Sequence, residues 1–363
     1  VIIVILAISC ILVVFMGKMK EKAQIQKDEK LSSKSVSYSV PKSKGNNFYD
    51  KIRNKQGVNF FVLGDEIAAG DNKSSIPEWL NNISGYLNSK YGVTVKIKDS
   101  LINGNTVIQG LNDYNKLSPN ADAVIICLGQ NDKDIMPVDQ FTSIYENIIM
   151  NIKKNNKYSE IIPVIENTVD DGSKYSAAIK DLAKYYDLDC ADTYLEFKNS
   201  NMPISSLTID GKLPNEKGYS YYTGSIEKII DDNIKNDKKI QTNVKSPMSQ
   251  LAAEFNSMKF ITDVYKNSGF QDVSGANVTN AALSSISYKI NGDIAGISLR
   301  CGPDYGKIRV LLDGKYQKDI DCSSKDESDK NILVYDKIQK GDRIISIQSL
   351  DNKAVKIYGV ISN

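Results

Sequence analysis

A run of six apolar residues at 123–128 constrains the fold of this chain more than any other segment. Such uninterrupted runs are typical of strands that are buried on both faces of a parallel sheet. Further strands are predicted at 59–63, 93–97 and 161–165, and helical periodicity separates them. Pro163 has no backbone N–H, which indicates an irregular or edge position in the last strand. This alternation predicts a doubly wound α/β sheet with helices on both faces.

The chain has 363 residues, enough for two domains, and its pattern changes after the α/β domain predicted at 47–235. Residues 236–254 are predicted to form a linker. Beyond it, alternating polar and apolar residues and an Asp313-Gly314 turn predict an all-β sandwich or jelly roll over 255–363. Its strands are predicted at 286–290, 294–301, 307–313, 332–335, 343–347 and 355–360.

The N-terminal segment is apolar up to Met16 and is followed by a lysine cluster. We expect a transmembrane anchor at 1–17, with a cleaved signal peptide as the main alternative. Residues 18–46 are rich in Lys and Ser without apolar periodicity, so they are expected to form a flexible stalk. Lysines directly after the anchor favour a cytoplasmic C-terminal side under the positive-inside rule.

Composition excludes few classes of protein, but it gives no support to nucleic-acid binding, because the net charge is only +2. Five widely spaced cysteines match no metal-binding pattern, and we expect no metal and no cofactor. Cys127 is interpreted as a core residue. Whether Cys301 and Cys322 form a disulfide across neighbouring strands stays open at this point, because spacing alone does not place their Cα atoms.

Several polar residues follow directly on predicted strands. Asp65 and Glu66 come after the first strand, and Gly129 and Asn131 come after the strand at 123–128. Ligands bind at the carboxyl ends of the strands in open α/β sheets. These residues are therefore expected at the ligand-binding edge of the sheet.

The segments 64–66, 129–132 and 210–215, together with Gly104, resemble the sequence blocks of the SGNH (GDSL-type) hydrolase superfamily over roughly residues 47–235. The resemblance implies a three-layer, flavodoxin-like domain. It also implies an esterase site in which a serine attacks an ester. The serine N–H, a glycine N–H (here Gly104) and an asparagine amide (here Asn131) stabilise the oxyanion, and an Asp-x-x-His segment beginning at Asp210 supplies the base.

Glu66 stands at the position of the family's serine, and Leu213 stands at that of its histidine. The 363 residues contain no histidine. A serine hydroxyl needs a neighbouring base to become a nucleophile, and losing both members removes the chemistry of the unit. We therefore expect no intact catalytic residue. The ligand-pocket candidates are Asp65, Glu66, Gly104, Asn105, Gly129, Asn131 and Asp210.

Three hypotheses account for Glu66. It is a drifted residue that suits a helix N-terminus, or a carboxylate that fills the oxyanion hole of a ligand-binding pocket, or a new catalytic carboxylate acting with Asp210 or Asp65. In the second case the positive end of the following helix would help to hold it. A cation held by Asp65, Glu66 and Asp210 has no metal-loop spacing to support it.

The predicted function is that of a membrane-anchored pseudoenzyme that binds or organises cell-envelope polysaccharide or acylated glycan. We expect a single-pass protein of the cell membrane with extracytoplasmic domains, because segment 302–315 resembles β-sandwich modules found beside SGNH domains in carbohydrate esterases. The alternative is an active carbohydrate or lipid esterase (deacetylase) with an altered mechanism. A module that recruits another envelope enzyme would be favoured by an exposed apolar patch.

Overall fold

The computed structural model describes residues 47–363, apart from 72–74, 134, 171, 244, 250, 253, 326, 336–340 and the side chains of 256 and 257. The predicted anchor at 1–17 and stalk at 18–46 lie outside these residues. Within the described part of the chain, no helix is both long and apolar enough to cross a bilayer.

The first domain is built on a five-stranded parallel sheet with strand order β2-β1-β3-β4-β5. The predicted doubly wound α/β fold is therefore confirmed. Every residue of the central strand β3 is buried, in agreement with the apolar run that predicted it. The strands are β1 (Val58–Gly64), β2 (Val95–Leu101), β3 (Ala123–Cys127), β4 (Glu160–Ile165) and β5 (Ala191–Asp192).

Helices cover this sheet and bury their apolar stripes against it. In the helix Val138–Asn155, Phe141, Ile144 and Ile148 are fully buried in the same core as Val124 and Ile126 of β3. The helices are α1 (Phe48–Arg53), α2 (Glu66–Ala69), α3 (Glu78–Tyr91), α4 (Val107–Leu117), α5 (Val138–Asn155), α6 (Lys174–Tyr186), α7 (Thr193–Asn199) and α8 (Glu216–Lys235), with 3₁₀ turns at Ile204–Ser206 and Glu254–Ser257.

Pro163 does not make β4 an edge strand, because β4 lies between β3 and β5. Pro163 is paired with Ile126 of β3, whereas the pairing with the two-residue strand β5 begins only at Val164. The proline is thus placed where one neighbouring strand is missing. There, its lack of a backbone N–H costs no hydrogen bond of the ladder.

The second domain consists of two antiparallel sheets, which confirms the predicted β-sandwich. Their strand orders are β13-β12-β15-β10-β7 and β14-β11-β16-β9-β8, and β6 also pairs with β16. The predicted strands correspond to β10 (Ser285–Asn291), β11 (Ala295–Cys301), β12 (Lys307–Leu312), β14 (Ser328–Tyr335), β15 (Asp342–Ser349) and β16 (Val355–Ser362).

Five strands of the sandwich were not identified in the sequence. Two of them, β7 and β8, are exposed along their whole length, so they have no buried face and no apolar alternation to detect. These five strands are β6 (Lys259–Ile261), β7 (Val264–Ser268), β8 (Gln271–Val273), β9 (Ala276–Thr279) and β13 (Lys315–Asp321).

The segment predicted as a linker lies against α5. The fully buried Glu146 of α5 accepts hydrogen bonds from the Ser249 and Met248 backbone N–H groups at 2.7 and 2.5 Å. The Tyr186 hydroxyl donates to the same carboxylate at 2.7 Å, and the Asn147 side chain donates to the Ala252 carbonyl. The connection between the domains is therefore fixed by side chains of the first domain.

Cysteines 127, 190, 301 and 322 are all free thiols. The Cys301 and Cys322 thiols are hydrogen-bonded to each other inside the sandwich. The two residues are thus neighbours across adjacent segments, as the disulfide hypothesis requires, but no bond joins them here.

Replacement of Glu146 by Gln tests the attachment of the connecting segment. Glutamine puts an amide donor where the carboxylate accepted three hydrogen bonds, so buried donors lose their partner. We expect the free energy of unfolding to fall by about 2 kcal/mol, measured by urea titration with the single tryptophan, Trp79, as the probe. Asp181→Asn on the exposed surface of α6 is the control. A loss no greater than that of the control would contradict this role for Glu146.

Candidate functional site

Three loops meet at the carboxyl ends of β1, β2 and β3, where the strand order 2-1-3-4-5 changes direction. This is the position at which flavodoxin-like sheets bind their ligands. Glu66 is the first residue of α2, which follows β1 directly, whereas Gly104 lies in the loop after β2 and Asn131 in the loop after β3. Residues that are distant in the sequence are thus brought into one group.

The Glu66 carboxylate is the centre of this group. Its Oε2 accepts a hydrogen bond from the Gly104 backbone N–H at 2.8 Å and another from Asn131 Nδ2 at 3.1 Å. Its Oε1 accepts one from Gln130 Nε2 at 2.6 Å. Gly104 and Asn131 carry two of the donors that the family resemblance assigns to the oxyanion. The side chain that stands in place of the serine therefore occupies those donors.

Glu66 is the first residue of the short helix α2, and side chains anchor this helix at both of its ends. The Asp65 carboxylate caps the helix by accepting from the Ile67 backbone N–H at 2.8 Å, and it also accepts from Asn131 Nδ2 at 3.1 Å. The Tyr219 hydroxyl and the Trp79 indole N–H donate to two carbonyl oxygens of the same helix. Since α2 is only one turn long, these side chains, and not the helix dipole, fix the carboxylate.

A second carboxyl group, that of Glu166, lies beneath the site directly after β4. Glu166 is fully buried, and burial raises its pKa to about 8. Its partner is the Asp65 carboxyl, whose pKa is also held well above its usual range, first by burial and then by the charges of Glu166 and Glu66. Neither buried oxygen of Glu166 accepts a hydrogen bond from a donor among the described residues. Burial and the neighbouring negative charges therefore both favour the protonated form in this pair.

Asp132 organises the loop that carries Gly104. It is fully buried and accepts from the Val107 backbone N–H at the start of α4, at 3.1 and 3.3 Å. The helix's own N-cap residue, Thr106, makes no side-chain cap. Burial raises the pKa of Asp132 to about 7. Asn105 ties the same loop to β1 by donating to the Gly64 carbonyl at 2.9 Å.

Two predicted site positions lie outside the hydrogen-bonded group. Asp210 is exposed and accepts from the Lys212 and Leu213 backbone N–H groups of its own turn at 2.9 and 2.7 Å, which lowers its pKa. Gly129 has φ 141°, and a Cβ there would touch side chains of α5 and α6. Gly129 thus allows the backbone conformation with positive φ that the chain adopts after β3.

Sequence reasoning did not select Gln130, Glu166 or Ser328 for this region. Gln130 and Glu166 both follow buried strands, the same signal that identified Glu66 and Asn131. Ser328 belongs to β14 of the sandwich, and its Cβ lies 2.9 Å from where a side chain on Gly104 would begin. Its presence depends on how the domains pack, which no local pattern encodes.

Residues 62–221 match the GDSL-like Lipase/Acylhydrolase family. This chain contains a GDSL-like lipase/acylhydrolase domain. No curated protein matches the sequence significantly. Within the described residues, no group of three His, Cys, Asp or Glu side chains is arranged to hold a metal ion.

The chain is similar over both domains to a solved two-domain esterase (CEX) that is active on acetylated mannans. The TM-score is 0.72 at 16% identity, covering 88% of this chain and 96% of that one. The same esterase co-crystallised with mannopentaose gives 0.71 at 16% identity, with 86% and 92% covered. The acetylxylan esterase Axe2 from Geobacillus stearothermophilus gives a TM-score of only 0.41 at 15% identity, over 48% of this chain and 94% of its own. At these identities the likeness concerns the fold.

Glu166→Gln tests the protonation of the Asp65–Glu166 pair. Burial raises the pKa of Glu166 in the folded protein from its ordinary value to about 8. At pH values between these two, the folded protein therefore binds more protons than the unfolded chain. Its free energy of unfolding therefore falls as the pH rises from about 5 to 8, by up to about 1.4 kcal/mol per pH unit. The variant should show a flatter profile in urea titrations over this range. Parallel profiles of the two proteins would rule out the protonated pair, and Asp181→Asn should follow the parent.

Proposed function

We propose that this protein binds cell-envelope carbohydrate through its esterase-like site and does not hydrolyse esters by a serine mechanism. The observation that carries the proposal is the Glu66 carboxylate on the Gly104 and Asn131 donors. The chain shares the two-domain fold of a solved esterase, while Glu66 and Leu213 stand where the family resemblance places the reacting groups.

Ester hydrolysis by the family's route needs three things at this place. It needs a hydroxyl nucleophile, a base that takes its proton, and free donors aimed at the developing oxyanion. Glu66 offers no hydroxyl, and Leu213 offers no proton acceptor. An oxyanion would also have to displace Glu66 Oε2 from its donors, and it would still lie close to the negative charge of that carboxylate. Each of these changes opposes the reaction, and together they remove the catalytic unit.

A carbohydrate ligand is supported by the surroundings of the site and by the two-domain neighbour. Beside Gly104, the sandwich presents Ser328 and the Asp329 carbonyl. The Asp329 carboxylate pairs with Arg300 at 2.8 Å and accepts from the Tyr358 hydroxyl at 2.7 Å. Such polar groups suit a ligand rich in hydroxyls. The neighbour with the same two domains acts on acetylated mannans, and we extend this substrate class to the present chain as a ligand class.

We further propose that the protein is a single-pass protein of the cell membrane with extracytoplasmic domains. The apolar segment at 1–16 supports a membrane anchor. The extracytoplasmic orientation rests on the cell-envelope ligand proposed above, against the direction that the lysines after this segment favour. Cell fractionation with protease treatment of intact cells tests this. Protection of both domains from the protease would contradict the orientation.

The second candidate function is an active carbohydrate or lipid esterase with an altered mechanism. The family match and the two-domain neighbour favour it, because they point to an esterase fold. In that case Glu66 acts as a catalytic carboxylate, with the protonated Asp65–Glu166 pair as the local proton reservoir. The chain's own residues at positions 66 and 213 favour the binding function.

Acetate release from p-nitrophenyl acetate and acetylated mannan separates the two functions. We expect no release above the uncatalysed rate from the native protein. The double variant Glu66→Ser/Leu213→His restores hydroxyl and imidazole, and any release that it shows should vanish in Leu213→His alone. Native turnover that is lost in Glu66→Gln but kept in Asp181→Asn would replace the proposed function by the esterase.

A further inference from the structure

The Glu66 carboxylate accepts hydrogen bonds as the carboxylate product of ester hydrolysis would in an esterase site. It accepts from the Gly104 N–H and the Asn131 amide, the groups that in an acting esterase would hold the acyl oxygen. After hydrolysis of an acetyl ester, the products are a carboxylate at these donors and a free sugar hydroxyl beside it. The protein thus carries the carboxylate of that product state as part of its own chain.

Resting on the proposed carbohydrate-binding function, we infer that Glu66 makes the site selective for de-acetylated glycan, whose free hydroxyl it binds, over the acetylated form. The inference names the ligand class of the same site. An acetyl group and the Glu66 carboxylate compete for one set of donors. A free hydroxyl and that carboxylate complement each other.

Hydrogen-bonding capacity gives the direction of the preference. Among the described residues, Oε2 accepts two hydrogen bonds and Oε1 accepts one, from Gln130, so that Oε1 can accept another. A sugar hydroxyl can donate to Oε1. An O-acetyl group has no proton to donate, and its carbonyl oxygen is repelled by the carboxylate. The charged acceptor therefore recognises the position at which the acetyl group is absent.

The carboxylate is not easily displaced by an acetylated ligand. Asp65 caps the helix that carries Glu66, and Tyr219 and Trp79 hold the carbonyl groups of that helix. If Glu66 turned away, the Gly104 N–H and the Gln130 amide would lose their acceptor. This cost adds to the preference for a ligand that leaves Glu66 in place.

The experiment compares acetylated mannan with the same mannan after alkaline de-acetylation, using the full-length purified protein and isothermal titration calorimetry. We expect the de-acetylated polymer to bind at least about tenfold more tightly, the difference that one hydrogen bond to a charged group provides. Glu66→Ser, which frees the donors and removes the charge, should reduce this ratio to near one or reverse it. Glu66→Gln keeps the shape of the side chain and should lower the ratio to an intermediate value. Asp181→Asn should keep the native ratio.

The outcomes separate this inference from the function on which it rests. Tighter binding of the acetylated polymer, or equal binding of both, overturns the selectivity and leaves carbohydrate binding intact. An unchanged ratio in a folded Glu66→Ser variant also overturns it, since the preference would then arise elsewhere. Binding of neither polymer overturns both the inference and the ligand class of the proposed function. Circular dichroism and the melting temperature of each variant establish that it is folded.

Discussion

The Glu66 carboxylate is half buried, so it needs donors in place of the water that folding removes. Gly104, Gln130 and Asn131 supply them from the loops after β2 and β3, and in doing so they tie these loops to the end of β1. The charge of Glu66 also disfavours ionisation of the buried Asp65 and Glu166 carboxyls below it. The arrangement of the loops thus depends on one side chain, which also adds to the effect of burial in raising the pKa values of the carboxyls beneath it.

Sequence patterns predicted most of the strands with a buried face, although the largely buried strand β9 was missed. The apolar run at 123–128 became the central strand, and the polar residues at strand ends arrived at one edge of the sheet because parallel strands end together. The same rule applied to residue 166 would have placed a carboxyl there. It would not have shown that Glu166 contacts Asp65, since that contact depends on β1 and β4 lying on either side of β3. The exposed strands β7 and β8 had no periodic signal at all.

The fold of the chain and its site residues determine different properties of the protein. The two-domain esterase shares the architecture of the present chain at 16% identity, which concerns how the chain folds. Chemistry depends on the groups at positions 66 and 213, and one scaffold hosts many functions. The donors that the family resemblance assigns to an oxyanion are present here, and the Glu66 carboxylate accepts hydrogen bonds from them. Binding and catalysis are therefore separate questions for this fold, and each needs its own measurement.

The attachment of residues 248–252 to α5 has a consequence for molecular recognition. Two domains joined by a loose tether lose rotational freedom when a ligand bridges them, and that entropy loss weakens binding. Here Glu146 and Asn147 hold the connecting segment, and Asn331 of the sandwich donates to Gln109 of the α/β domain at 3.0 Å. The rotational freedom of the two domains is therefore already lost when the protein folds. A ligand that touches both domains thus meets a preorganised surface, and most of its contact energy remains available as affinity.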